Sequence, residues 1–170
     1  TTLDITGKGT VMVVDGNTAR SGSGGGLFAI NAVVALSFGA RLDVINNECA
    51  EYGGGLYLIT TTLPRTSLNI HGNDTYLKVS NNIAVKGGGL ISVTSDVSVL
   101  SGARLDINNN KATDYAGGVF LTAKANFILT GSQTHVVVDT NTAQKEGGGL
   151  AAFARGKIEV SSGAMLDVIN

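Results

Sequence analysis

Three aspartates at one repeated position are the best candidates for acid–base chemistry in this chain. Asp43, Asp106 and Asp167 each close the sequence Gly-Ala-x-Leu-Asp, and Lys78 and Val137 hold that position in the repeats between them. Two carboxylates about 6.5–9.5 Å apart can act as acid and base in inverting glycoside hydrolysis. Alternate repeats of stacked strands lie about 9.6 Å apart, and these aspartates recur along the chain instead of forming one cluster. The pattern favours a solvated face, so we expect no enzyme.

Other reactive side chains are few and scattered. His71 and His135 fall in or near turns, with no Cys or Asp at metal-ligand spacing, so both are expected at the surface. Cys49, the single cysteine, stands where the other repeats carry Ala, which predicts a small buried side chain. The sequence therefore predicts neither a cofactor nor a metal.

The elements that position these residues repeat along the chain. An aliphatic residue is followed three positions later by Asn, then by a small residue, and then by a glycine cluster that ends in an aliphatic residue. The five asparagines are Asn17, Asn47, Asn82, Asn110 and Asn141, and the closing residues are Leu27, Leu56, Leu90, Val119 and Leu150. A fixed period of about 30 residues is typical of stacked repeats that bury their apolar edges against each other.

Each repeat contains three short apolar runs that read as strands. In the second copy these are 34–36, 41–44 and 56–59, bounded by Gly and Asn. Because each strand type returns only once per repeat, the strands cannot form hairpins and must pair in parallel with their equivalents. We predict an all-β, right-handed parallel β-helix with three strands per coil and about five and a half coils, as a single segment over 1–170.

The second strand predicts which side chains face the core, because apolar columns such as Leu42, Leu77 and Leu105 alternate with polar ones. The five asparagines then form one column at a corner, where stacked amides hydrogen-bond along the axis in a structural ladder. The third strand is ambiguous, since both of its parities are apolar. If the leucines face the core, the alternate side chains form an exposed apolar stripe, which is typical of an interface. The residues of this stripe are Phe28, Tyr57, Ile91 and Phe120. In the alternative, loops cover this stripe or local geometry buries both columns.

The turn before the second strand alternates between a long and a short form. Gly7, Gly72 and Gly131 begin long turns, whereas Gly39, Gly102 and Gly163 begin short ones. The unit is therefore a double coil of roughly 60 residues, twice the single period. We expect the chain, which stops at Asn170 just before a sixth Asn-containing turn, to be part of a longer array.

Composition limits the partners. The 12 basic and 13 acidic residues nearly balance, which argues against nucleic acid. No apolar run approaches about 18 residues, so no transmembrane segment is expected. Asn73-Asp74-Thr75 is an acceptor sequence for N-glycosylation in a turn, and Asn73 is a candidate glycan site if the chain is secreted by a eukaryote.

The recurring Asn and Gly-Gly elements resemble the repeats of chlamydial polymorphic outer-membrane proteins, whose short motifs read Phe-x-x-Asn and Gly-Gly-Ala-Ile. Both elements match in all five copies, with Val or Ile in place of the Phe. The resemblance implies a secreted, cell-surface β-helix, and many such proteins act in adhesion. We therefore expect a structural, non-catalytic protein at the cell surface or outside the cell, serving as a rod, filament subunit or adhesin stalk.

Two further functions remain open at this point. A carbohydrate-binding or polysaccharide-cleaving β-helix is the alternative, with Asp43 and Asp106 in its site. Ice binding is a weaker option, because it needs a regular Thr array. Expected partners are further copies of the chain, end to end or side by side, other surface proteins, or glycans.

Overall fold

The computed structural model of the chain describes residues 1–169. Asn170 lies outside the described residues. Within 1–169 every regular element is a β-strand, and all strand pairs are parallel and join equivalent positions of successive coils. The fold is a β-solenoid of six coils, numbered here from the amino terminus, which confirms the predicted parallel β-helix.

Four sheets run along the solenoid. The first contains Thr2–Thr6, Val33–Ser37, Ser67–His71, Asp96–Leu100, Asn126–Thr130 and Lys157–Ser161. The second contains Val11–Asp15, Arg41–Ile45, Tyr76–Ser80, Arg104–Asn108, His135–Asp139 and Met165–Ile169. The third contains Thr18–Ala19, Glu48–Cys49, Ile83–Ala84, Lys111–Ala112 and Thr142–Ala143. The fourth contains Leu27–Ile30, Leu56–Ile59, Leu90–Val93, Val119–Thr122 and Leu150–Ala152.

The first, second and fourth sheets are the three strands per coil that the sequence predicts. The third sheet consists of two-residue strands in the Asn-x-Ala segment, which the sequence presents only as a corner. These strands add a short parallel ladder beside the asparagines, so the corner is tied by backbone hydrogen bonds as well as by side chains.

The core lies inside the ring of sheets and follows the period of two predicted for the second strand. Leu42, Val44, Leu77 and Val79 are fully buried, and Lys78 between them points outward. In the fourth sheet the leucine parity faces the core, with Leu56 fully buried. Every coil thus buries aliphatic side chains against those of its neighbours, which is the main force that stacks the coils.

Candidate functional site

The aspartate column forms ion pairs on the outer face of the second sheet. Asp43 accepts hydrogen bonds from Arg41 Nε at 2.9 Å and lies 2.8 Å from its Nη2. Asp106 accepts from Nε and Nη2 of Arg104 at 2.8 and 2.9 Å. The strand register places Lys78 between the two aspartates. Each candidate carboxylate is therefore neutralised by its own arginine two residues away, and the two do not meet in a shared acidic pocket.

A tyrosine between these arginines completes the face. The Tyr76 ring lies 5.3 Å from the Arg41 guanidinium carbon and 5.9 Å from that of Arg104. Its hydroxyl donates to Asp106 Oδ2 at 2.7 Å. Burial, followed by the hydrogen bond to Asp106, raises the pKa of Tyr76 above its ordinary value. At neutral pH the phenol is a proton-bearing donor that orients Asp106, and it does not act as a base.

The third aspartate pairs with a histidine of the preceding coil. Asp167 Oδ2 lies 2.8 Å from Nε2 of His135, which is half-buried on the second sheet. His71 is exposed at the end of a first-sheet strand, as expected for a surface residue. The sequence analysis missed the His135–Asp167 pair because the two residues are 32 positions apart, although alignment of the repeats places them in neighbouring columns.

The asparagines form the predicted ladder at the corner beside the third sheet. Asn82 Nδ2 donates to Asn110 Oδ1 at 2.9 Å and to the Val44 carbonyl at 3.0 Å. Asn82 Oδ1 accepts from the backbone N–H and from Nδ2 of Asn47 at 2.9 and 3.1 Å. The same pattern links the other members of the column, Asn17, Asn47, Asn110 and Asn141. Asn82 is fully buried and its amide is saturated by protein groups, so the column is built to hold coils together.

The glycine clusters leave room for this ladder. A Cβ on Gly55 would lie 2.9 Å from Asn82 Nδ2 and 2.6 Å from the Gly89 carbonyl oxygen. A Cβ on Gly89 would lie 2.9 Å from Asn110 Nδ2. Any side chain larger than hydrogen would displace the amide column or the backbone of the next coil. The Asn and Gly-Gly motifs of the repeat are thus two halves of one packing arrangement.

The apolar stripe expected on the fourth sheet is not continuous. Phe28 is 51% exposed and Tyr57 is half-buried, but Ile91 and Phe120 are only 2% and 9% exposed. The expectation of an exposed stripe therefore fails at Ile91 and Phe120. Their outward side chains form a second apolar cluster outside the main core, which corresponds to the alternative in which both parities are buried.

Side chains from the turns cover this second cluster. The Phe153 ring meets Phe120 edge to face at 5.5 Å and Tyr115 at 5.8 Å. At the other end of the stripe the rings of Phe28 and Tyr57 stack at 5.2 Å. Among the four stripe residues, the exposed aromatic surface is therefore that of Phe28 and Tyr57.

A row of alternating cations and aromatic rings borders this face, and the sequence analysis did not find it. Lys86 Nζ lies 5.7 Å from the Tyr52 ring centroid and 5.5 Å from that of Tyr115. Lys145 Nζ lies 5.3 Å from the Tyr115 ring centroid and pairs with the carboxylate of Asp114. Because the turns with the glycine clusters differ in length between coils, comparison of the repeats does not show which of these residues lie beside each other.

Two other predicted positions have simple surroundings. Cys49 is buried in the third sheet beside Ala19 of the preceding coil, and burial raises the pKa of its thiol. Asn73 is exposed in its turn, so its side chain is open to modification, whereas Thr75 of the same acceptor sequence is buried. Glycosylation of Asn73 stays a prediction.

Within 1–169 no group of three or more His, Cys, Asp or Glu side chains is arranged to hold a metal ion. In the same range the structure contains no long apolar helix that could cross a membrane.

Comparison with known proteins gives one distant relative. The chain is 28% identical over 132 residues to a protein of Chlamydia pneumoniae described as "Probable outer membrane protein pmp20". The match covers 76% of this chain but 7% of the relative, so the chain spans less than a tenth of that protein's length. No family model matches the chain, and no solved structure does. The chain is thus distantly similar to a small part of that protein.

Proposed function

We propose that this chain is a structural, non-catalytic segment of an extracellular or cell-surface β-helix, acting as a rod, a filament subunit or an adhesin stalk. The observation that carries the proposal is the asparagine ladder, in which five amides, four of them buried, join five successive coils through side-chain bonds of 2.9–3.1 Å. Hydrogen bonds in series along an axis resist bending and shearing between coils. Such a ladder suits a structural element whose length along the solenoid axis must stay constant.

The charged residues support the same proposal. Asp43, Asp106 and Asp167 each hold a basic partner at 2.8 Å, so the candidate acid–base groups contribute to the surface of the solenoid. The distant similarity to an outer-membrane protein agrees with a place at the cell surface. Partners for such a segment are further copies of the chain or other surface proteins.

Electron microscopy of the protein isolated from its native source tests the proposal. A structural role predicts rods, filaments or sheets with an axial spacing of about 9.6 Å, twice the strand spacing. The same material is assayed for polysaccharide binding and cleavage. Dispersed particles that cleave a polysaccharide, with cleavage lost in Asp106→Asn and retained in the first-sheet variant Asp4→Asn, would overturn the proposal in favour of a carbohydrate-active β-helix.

A further inference from the structure

The alternation of long and short turns has a direct cause in the hydrogen bonding between coils. The Thr75 hydroxyl in the long turn of coil 3 donates to the His71 carbonyl at 2.9 Å and accepts from the Gly39 N–H of coil 2 at 3.0 Å. Two coils later, the Thr134 hydroxyl accepts from the Gly102 N–H at 2.9 Å. Thr75 and Thr134 are buried. A long turn thus supplies the acceptor that the preceding short turn needs.

The outer face of the second sheet alternates with the same phase. Tyr76 belongs to a long-turn coil, and Arg41 and Arg104, which lie on either side of its ring, belong to the short-turn coils 2 and 4. Lys78 separates Asp43 from Asp106 in the adjacent column. The long-turn coil 3 therefore keeps two identical sets of charges apart.

The row beside the fourth sheet is an independent third instance. Lys86 of coil 3 lies between Tyr52 of coil 2 and Tyr115 of coil 4. Here the cation is on the long-turn coil and the aromatic rings are on the short-turn coils, the reverse of the second sheet. Three sets of contacts thus join coils of opposite turn length.

We infer that the edge of each coil is an interaction surface that fits a coil of the opposite turn length, so that the coil pair is the unit of stacking. Two short-turn coils in contact would leave the Gly39 N–H without its acceptor. They would also place Arg41 on Arg104 and Asp43 on Asp106, and like charges directly opposed in a sheet are destabilising. This inference concerns stacking and does not depend on the proposed function.

Two nested deletions in the full chain test whether coils of opposite turn length must be neighbours. Removal of residues 67–95 joins Thr66 to Asp96 and stacks coil 4 on coil 2, which are both short-turn coils. Removal of residues 67–125 joins Thr66 to Asn126 and stacks the long-turn coil 5 on coil 2. Ser67, Asp96 and Asn126 are partners in the first sheet, so both junctions keep the register. The larger deletion places Arg41 beside His135 and Asp43 beside Val137, without like charges.

Thermal unfolding followed by circular dichroism separates the two outcomes. If burial alone governs stability, the larger deletion has the lower midpoint, because it removes one more coil of core. Opposite-type stacking predicts the reverse, with the 67–95 deletion melting at least about 5 °C below the 67–125 deletion, or failing to fold where the larger deletion folds. A midpoint for the 67–95 deletion equal to or above that of the larger deletion would overturn the inference.

Amide hydrogen exchange in the intact chain keeps the inference testable if neither deletion folds. The Gly39 and Gly102 N–H groups are expected to be protected. Thr75→Val should increase exchange at Gly39 by at least about tenfold, while Gly102, which bonds to Thr134, stays protected. Thr75→Ser, which keeps the hydroxyl, should leave Gly39 protected. Rapid exchange of Gly39 in the unmodified chain, or no change in Thr75→Val, would show that the turns do not require each other.

Discussion

The side-chain amide of Asn82 occupies the space beside Gly55 that a side chain would need. Nδ2 of Asn82 lies 2.9 Å from the position of a Cβ on Gly55, and the same separation recurs between Gly89 and Asn110. The glycine of one coil thus packs against the asparagine of the next, so a side chain at Gly55 and the amide column exclude each other.

Gly55→Ala is expected to destabilise the protein through this contact. The new methyl group would meet a backbone carbonyl oxygen of the next coil at 2.6 Å, and overpacking of this kind costs about 3 kcal/mol in the free energy of unfolding. Gly16→Ala is the control, because Gly16 faces open space but has a φ of 68°. Gly16→Ala should lower the free energy of unfolding by only about 1 kcal/mol, because alanine disfavours the left-handed backbone conformation of this position. Urea unfolding measures both, and equal losses would contradict the packing argument.

Asn82→Leu is expected to lower the free energy of unfolding by at least about 3 kcal/mol. Leucine keeps the approximate size of the side chain but removes its polar groups. The Val44 carbonyl, the Asn47 N–H and the Asn110 amide oxygen would each lose a bond made by Asn82, and buried groups left unpaired cost about 1–3 kcal/mol each.

Asn17→Leu tests whether burial sets this cost. Asn17 belongs to the same column and also donates to its neighbour, but it is exposed, so water replaces the lost bonds. The expected loss in urea unfolding is below about 1 kcal/mol. Similar losses for the two variants would show that the ladder stabilises the chain independently of burial.

Tyr76→Phe is expected to change the response of stability to alkaline pH. The folded state raises the pKa of Tyr76, whereas an unfolded tyrosine has a pKa of about 10. Above pH 10 the unfolded chain releases a proton that the folded chain retains, so the contribution of Tyr76 to stability falls as pH rises. Below pH 10 the variant should be less stable by about 1–2 kcal/mol, because it lacks the hydrogen bond to Asp106.

The pH dependence is measured by urea unfolding at pH 8 and pH 11 in a Cys49→Ala background, since the pKa of the buried thiol is also raised. The difference in unfolding free energy between the chain that keeps Tyr76 and the Tyr76→Phe variant should narrow at the higher pH. A constant difference would mean that Tyr76 does not hold its proton more tightly in the folded chain.

The columns of the second sheet could be predicted because one of their parities is uniformly apolar and the other is mostly polar. Leu77 and Val79 flank the charged Lys78, and an alternation of this kind can be buried in only one way. The fourth sheet offered no such contrast, since Leu56-Tyr57 and Leu90-Ile91 are apolar at both parities. Contacts that depend on the register between coils, such as Thr75 with Gly39, also escaped prediction, because the repeat period does not specify which atoms meet across a turn.

Phe120→Ala tests how the fourth sheet buries its outward side. Phe120 is 9% exposed and contacts Phe153 edge to face, so its truncation should cost about 3–5 kcal/mol. Phe28, on the same parity of the same sheet, is 51% exposed, and Phe28→Ala should cost much less. Thermal unfolding of the two variants measures the contrast. If the variants lose the same stability, the covering of Phe120 by Phe153 is not maintained in solution, and the whole stripe is open to a partner.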